Sequence, residues 1–271
     1  NGTGEYNGDN IPARNATLNY PTDLHVAPSG NIYFLDENNI RIRKIDREGI
    51  ITTVAGNGQS GSATYGLLAN ETSIQGLKGF CVSKEEELFI TGYLTVVKMV
   101  DKEGIIWRVA GIPDHGGFVD NVPALKANVN NPKGCAVTDT NEIIITDYYN
   151  YRVRKFTVGG NMTTIAGSGS SSMGRGSGIA FSTTVASPRS VAFAVNGDML
   201  IAEQSKLKKI DIIAIVEGVG IGTLRQFGVD SGAAQTTTAI LFGDVPGEQQ
   251  CQTVEHFLEI ETPVHADGEA G

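Results

Sequence analysis

Metal or acid–base chemistry in this chain would have to come from four histidines, three cysteines and a few repeated carboxylates. The histidines are His25, His115, His256 and His265. A zinc site needs three or four convergent nitrogen or sulfur ligands. When the chain is aligned on itself, His25 falls on the innermost strand of the first unit, and Cys81, Ala136 and Ala192 stand at the matching positions. His25 and Cys81 supply at most two ligands, so they read as isolated core or channel-lining side chains. Asp36 and Asp147 also share one repeat position, with Gly92 and Glu203 at the others. A ring of carboxylates could hold calcium through oxygen. The simpler expectation is that each accepts hydrogen bonds from its hairpin or pairs with the nearby Arg41 or Arg152. Neither G-x-x-x-x-G-K nor G-x-G-x-x-G stands between a strand and a helix, and no serine has a His/Asp pair that spacing can identify. Gly174-Arg-Gly-Ser-Gly178 belongs to a Ser/Gly-rich connector, read as a mobile loop. The expectation is therefore no catalytic residue, no cofactor and no metal.

A different chemistry has positive support. N-x-S/T sequons begin at Asn1, Asn15, Asn70 and Asn161. Asn15 and Asn70 fall at nearly the same point of successive connectors, and Asn161 in a hairpin turn, where a glycan fits. These are the candidate glycosylation sites, and they favour a secreted or cell-surface protein.

The elements that position these residues follow from composition and repetition. The 271 residues include 34 glycines but only 9 prolines, with 40% apolar residues, as expected of short strands joined by tight turns. A net charge of -9 argues against nucleic acid as a partner, since such binders present a basic face to phosphates. The densest basic stretches, Arg41-Ile-Arg-Lys44 and Lys206-Leu-Lys-Lys209, alternate with apolar residues and are expected to be solvated strand faces. Cys81, Cys135 and Cys251 make no evident disulfide framework, leave at least one thiol over and set no redox compartment. No run of 18 apolar residues exists, so no membrane-spanning helix is expected. The opening Asn1-Gly-Thr-Gly is neither a signal peptide nor an initiator methionine, which suggests a processed or partial chain.

Sliding the chain over itself reveals one register. Val54-Ala-Gly56, Val109-Ala-Gly111 and Ile165-Ala-Gly167 each close a hydrophobic strand, with a weaker copy at Ile221-Gly-Thr223. Tyr20-Pro-Thr-Asp-Leu24, Gly76-Leu-Lys-Gly-Phe80, Asn131-Pro-Lys-Gly-Cys135 and Ser187-Pro-Arg-Ser-Val191 open strands in the same register, roughly 56 residues apart. Within the first repeat the period-two pattern predicts strands over Asp23–Ala27, Ile32–Asp36, Ile40–Asp46 and Ile50–Val54. In the fourth, Val195-Asn-Gly-Asp198 supplies a hairpin turn. A small sheet with two apolar faces cannot bury itself alone, and radial stacking is the propeller solution. The predicted class is all-β, a β-propeller of four-stranded antiparallel blades near 18–58, 74–111, 129–169 and 185–224. Residues 225–271 form an irregular segment that closes the ring or contacts a neighbour, with weak strands over Cys251–His256 and Phe257–Ile260.

The recurring pattern, clearest over Pro21 to Gly58 and Pro132 to Gly169 and looser over Leu77 to Gly111 and Pro188 to Gly222, resembles NHL repeats. Its long connectors, such as Gly116-Gly-Phe-Val-Asp, look like those of extracellular-type NHL proteins. The resemblance implies fold and leaves function open, because such propellers include RNA-binding modules, adhesion modules and a metal-dependent lyase. The histidines depart from the lyase pattern, whose metal sits on several of them. The expected function is a non-catalytic extracellular module that binds a protein or glycan partner or serves in adhesion or structure. The alternatives are a subunit of a filamentous or sheath-like assembly and a propeller hydrolase or lyase with a channel metal.

Overall fold

The computed structural model describes residues 4–171, 184–194, 197–216, 219–227 and 235–240, the last part from Asp211 onward as backbone only. Four small antiparallel sheets form a β-propeller. Blade 1 comprises β1 (Ile11–Pro12), β2 (Pro21–Val26), β3 (Ile32–Asp36), β4 (Arg41–Ile45) and β5 (Ile50–Ala55); blade 2 comprises β6 (Leu77–Val82), β7 (Leu88–Gly92), β8 (Val96–Val100) and β9 (Ile106–Gly111). Blade 3 comprises β10 (Val122–Pro123), β11 (Pro132–Val137), β12 (Ile143–Asp147), β13 (Arg152–Phe156) and β14 (Asn161–Ala166). Blade 4 comprises β15 (Ser190–Phe193), β16 (Met199–Ala202), β17 (Leu207–Val216), β18 (Val219–Phe227) and β19 (Gln235–Ile240). The innermost strands β2, β6, β11 and β15 lie side by side in that order.

The core lies between blades. Tyr33, Leu35 and Ile42 of blade 1 interlock with Phe80, Leu88 and Ile90 of blade 2. Phe89, Val97 and Val109 meet Ile143, Phe156 and Met162 of blade 3, and Ile144 and Val153 meet Val191, Met199 and Ile201 of blade 4. Each fully buried Ile or Phe contributes about 1.5–3 kcal/mol, so a blade gains most of its stability only once its neighbours are in place.

The long connectors do more than link blades. Ile11 pairs with Ile51, Val122 with Met162, and Leu68 bridges Ile105. Each connector thus lays a short edge on the outermost strand of the blade that follows it. That adds a fifth strand to blades 1 and 3, beyond the four expected, and covers main-chain groups that would otherwise be an open edge. In blade 4, β18 runs past residue 224 and β19 pairs with its outer side. The weak strands over 251–256 and 257–260, Cys251, His256, His265 and the Gly174–Gly178 loop lie outside the described residues.

Two expectations need correction. Arg43 and Lys208, read as parts of solvated strand faces, are 0% and 2% exposed, and Arg154, the counterpart of Arg43, is 0% exposed. The alternation was right for Ile42, but both faces of an interior strand of the blade are covered, so the intervening cation must be paired internally. The cysteines were read as making no framework, yet Cys81 and Cys135 form a disulfide with a Cα–Cα distance of 5.6 Å. They join β6 to β11 and so staple two blades. The pair is one residue out of repeat register, which hides it from repeat alignment.

Changing both cysteines to serine should lower stability by about 2–4 kcal/mol. Urea unfolding of the wild type with reductant should approach the midpoint of the variant. Identical wild-type midpoints with and without reductant would show that the staple carries no stability.

Candidate functional site

The repeated carboxylates are internal struts. Asp36, fully buried, accepts from Asn19 N at 2.7 Å and Asn39 Nδ2 at 2.9 Å, and pairs with Arg43 at 3.4 Å. Asp147 repeats the pattern with Asn130 N at 2.7 Å, Asn150 Nδ2 at 2.8 Å and Arg154 at 3.1 Å. Glu203 does so with Ala186 N at 3.1 Å and Lys208 at 2.7 Å. The expected partners Arg41 and Arg152 are not the ones used. They donate instead to Asn39 O and Asn57 O, and to Asn150 O and Ser168 O. Connector residues complete the networks: Asp9 meets Arg43 at 3.0 Å, and Asp120 meets Arg154 at 3.3 Å. Burial pushes Asp147 up to about 6, against the opposing pull of Arg154, Asn150 and the Asn130 amide.

Blade 2 breaks the pattern. Gly92 stands where the other blades carry the acid, and Lys98 where they carry the cation. Lys98 is 3% exposed, and burial unopposed by any acid brings its ammonium down to about 8.

The other convergence of chemistry lies on the channel. A cavity of about 600 Å³ opens between the inner strands, lined by residues from all four blades. At one repeat position stand Thr22, Lys78, Lys133 and Arg189, and all four line it. What places them is the residue that follows in two of the blades. A Cβ on Gly79 would lie 2.2 Å from Lys133 O, and one on Gly134 2.7 Å from Arg189 O. Only glycine lets the inner strands come this close, and that approach sets the cationic side chains side by side.

Aromatic rings fall between the cations. Tyr93 and Tyr148 share the repeat position just after the buried acid. Lys78 Nζ lies 5.1 Å and Lys133 Nζ 5.6 Å from the Tyr93 ring centre, while Lys133 Nζ lies 3.5 Å and Arg189 Cζ 5.8 Å from that of Tyr148. Tyr20, Tyr93 and Tyr149 are more than half exposed. The acids nearby are engaged: Glu37 pairs with Lys78 and accepts from Thr22 Oγ1, and Asp23 accepts from Phe80 N at 2.8 Å. Burial alone would raise the Tyr148 phenol; a hydrogen bond with Ser187 and the charges of Lys133 and Arg189 outweigh it and bring the phenol below its ordinary range. The arrangement is a set of cations and phenols around an open cavity, suited to holding a ligand.

His25 does line this cavity, 3.5 Å from Asp23 and edge-on to Phe80, while His115 sits in an exposed connector. Cys81, once a possible ligand beside His25, is consumed by its disulfide. Among the described residues no three His, Cys, Asp or Glu side chains converge to hold a metal. Asn15, Asn70 and Asn161 are exposed; Asn1 lies outside the described residues. Lys78, Lys133 and Arg189 stand in repeat register within Leu-Lys-Gly, Pro-Lys-Gly and Pro-Arg-Ser, segments that in sequence signal only the opening of a strand.

Residues 2–65 match the Teneurin NHL domain and residues 129–156 the NHL repeat. No curated protein sequence matches the chain. Among solved structures the chain resembles auxiliary nutrient binding proteins from Bacteroides thetaiotaomicron (15% identity, TM-score 0.50) and Bacteroides ovatus (18% identity, TM-score 0.50); 69% of this chain aligns in each case, over 46% of theirs. It also resembles virginiamycin B lyase from Staphylococcus aureus (13% identity, TM-score 0.45), with 80% of this chain aligned over 69% of that one. The chain thus spans less than half the length of the nutrient-binding proteins, and the likeness to them speaks to fold alone.

The buried charges yield two opposite expectations. Asp147→Asn leaves the buried Arg154 with only the connector carboxylate Asp120 and should destabilise by up to about 3–5 kcal/mol. Lys98→Met should instead stabilise by about 1–3 kcal/mol at pH 7, since it removes an unpaired buried charge. The Lys98 ammonium titrates lower in the folded chain than in the unfolded one, so the unfolded chain binds more protons between about pH 8 and about pH 10.4. Wild-type stability therefore gains from Lys98 as pH rises through that window, and the advantage of Lys98→Met should shrink toward pH 10. Urea denaturation at pH 7 and near pH 10 tests both; a variant advantage independent of pH would contradict the assignment.

Proposed function

We propose that this NHL-repeat β-propeller is a non-catalytic extracellular recognition module whose ligand, a glycan or protein segment, docks at the channel mouth. The observation that carries the proposal is the convergence, in repeat register, of Lys78, Lys133 and Arg189 with Tyr93 and Tyr148 beside a cavity of about 600 Å³. That volume is within the range of small-ligand pockets. Exposed tyrosines offer large contact areas at low conformational cost and a hydroxyl at the rim. Binding is favoured by the engagement of the two carboxylates at the mouth: Glu37 is held by Lys78, and Asp23 by a main-chain amide and His25.

An extracellular setting is supported by the Cys81–Cys135 disulfide, because such bonds persist in oxidising compartments. The exposure of Asn15, Asn70 and Asn161 supports it too, since a glycan needs open space around its asparagine.

Two measurements test the reading. Mass spectrometry of material from its native source should find glycan on at least one of Asn15, Asn70 and Asn161; three bare asparagines would remove that support. On an immobilised array of glycans and peptides, labelled protein should be retained, and the Tyr93→Ser/Tyr149→Ser double variant should lose about tenfold in affinity with its circular dichroism unchanged. An unaltered binding profile would move the site away from the mouth.

A further inference from the structure

Charge at the channel mouth is distributed unevenly. Toward blade 1, Lys78 is met by Glu37. Toward blades 3 and 4, no carboxylate among the described residues pairs with Lys133 or Arg189, and the two cations flank the single ring of Tyr148, 3.5 Å and 5.8 Å from its centre. Both line the cavity, and Arg189 is exposed. In a chain of net charge -9, two uncompensated cations held within one side chain of each other are not a dispersed surface average. Their main chains are held in close approach, since a Cβ on Gly134 would lie only 2.7 Å from Arg189 O.

We infer that Lys133, Tyr148 and Arg189 form an oxyanion-binding subsite, which takes a carboxylate, sulfate or phosphate group of a compact ligand. This rests on the reading of the channel mouth as the recognition site and narrows its ligand class. Each cation has a defined part. The Arg189 guanidinium offers a planar pair of N–H donors that fits two oxygens of one group, and the Lys133 ammonium offers a compact point charge. The Tyr148 hydroxyl can donate to a third oxygen. The remainder of the ligand lies toward the exposed Tyr149 ring, which packs edge-on to Tyr148 with centres 4.9 Å apart. An extended nucleic acid is a poorer match, because it needs a basic track along its backbone, and the mouth turns acidic at Glu37 and Asp23.

Tyr148 provides a reporter. Burial raises its phenol, and the Ser187 hydrogen bond with the charges of Lys133 and Arg189 lowers it overall. An anion seated between those charges offsets them, so the phenol must titrate at higher pH when the subsite is filled.

The experiment compares ligands that differ only in charge: methyl glucuronide, methyl glucoside 6-sulfate and methyl glucoside 6-phosphate against neutral methyl glucoside, by isothermal titration of the whole chain. The acids should bind about tenfold tighter than the neutral sugar. Lys133→Gln and Arg189→Gln should each reduce that preference and the double variant should erase it, while Lys84→Gln, away from the mouth, leaves it intact. The order among the three acids identifies the oxyanion. Phenol absorbance should show the upward shift with acid bound, and Tyr148→Phe should abolish that signal. Equal affinity for acids and neutral sugar, no saturation up to about 10 mM, or a preference that survives in the double variant overturns the subsite. If array binding depends on Tyr93 and Tyr149 but is indifferent to both cations, the mouth remains the recognition site and only the anion inference falls.

Discussion

A small sheet that is apolar on both faces can bury them only against other sheets. In this chain that requirement governs the rest. Tyr33, Leu35 and Ile42 meet little more than one another and small residues such as Ala27 and Ala55 within their own blade, and Phe80, Leu88 and Ile90 of the next blade complete the cluster. The contact demands that inner strands approach to backbone distance, which Gly79 and Gly134 permit. The disulfide between β6 and β11 then ties two blades together where they already meet. Stability is therefore shared through nearest-neighbour interfaces, as in other repeat architectures.

Covering both faces of each blade creates a second problem, because interior strands of the sheet carry cations. Arg43, Arg154 and Lys208 solve it by pairing with Asp36, Asp147 and Glu203, whose remaining oxygen capacity is filled by main-chain and asparagine donors. Connectors contribute Asp9 and Asp120, so segments that look like spacers finish the ion networks and cap the outer strands. Blade 2 lacks the acid and keeps the cation. Lys98 is an exception that a purely structural repeat would not need, and its lowered ammonium follows from burial alone.

The channel mouth inherits its geometry from the same packing. Lys78, Lys133 and Arg189 are neighbours because their strands are neighbours, and Tyr93 and Tyr148 intervene because the turn after each second strand reaches the same rim. One repeated position thus sets three cations on neighbouring strands, a form of convergence that no single repeat contains. The Teneurin NHL and NHL-repeat matches agree with this architecture, while the ligand must be argued from the side chains themselves.

Strand positions were legible in the sequence because short apolar runs stand between turn residues: Ile32–Asp36 falls where it was expected, Ile50–Ala55 shows the alternating burial of a period-two strand, and the neighbouring strand bounds differ by a residue or two. The repeat register was legible too, since equivalent blades need equivalent turns. Pairing across blades was not. Cys81 and Cys135 lie 54 residues apart and one position out of register, so only the juxtaposition of β6 and β11 joins them. Arg43 looked solvent-facing because sequence alternation records two faces without saying that both are covered. For the same reason the candidate site was invisible as a cluster: the sequence determined which residues recur at each blade's inner edge, and the radial packing of the blades decided that they meet.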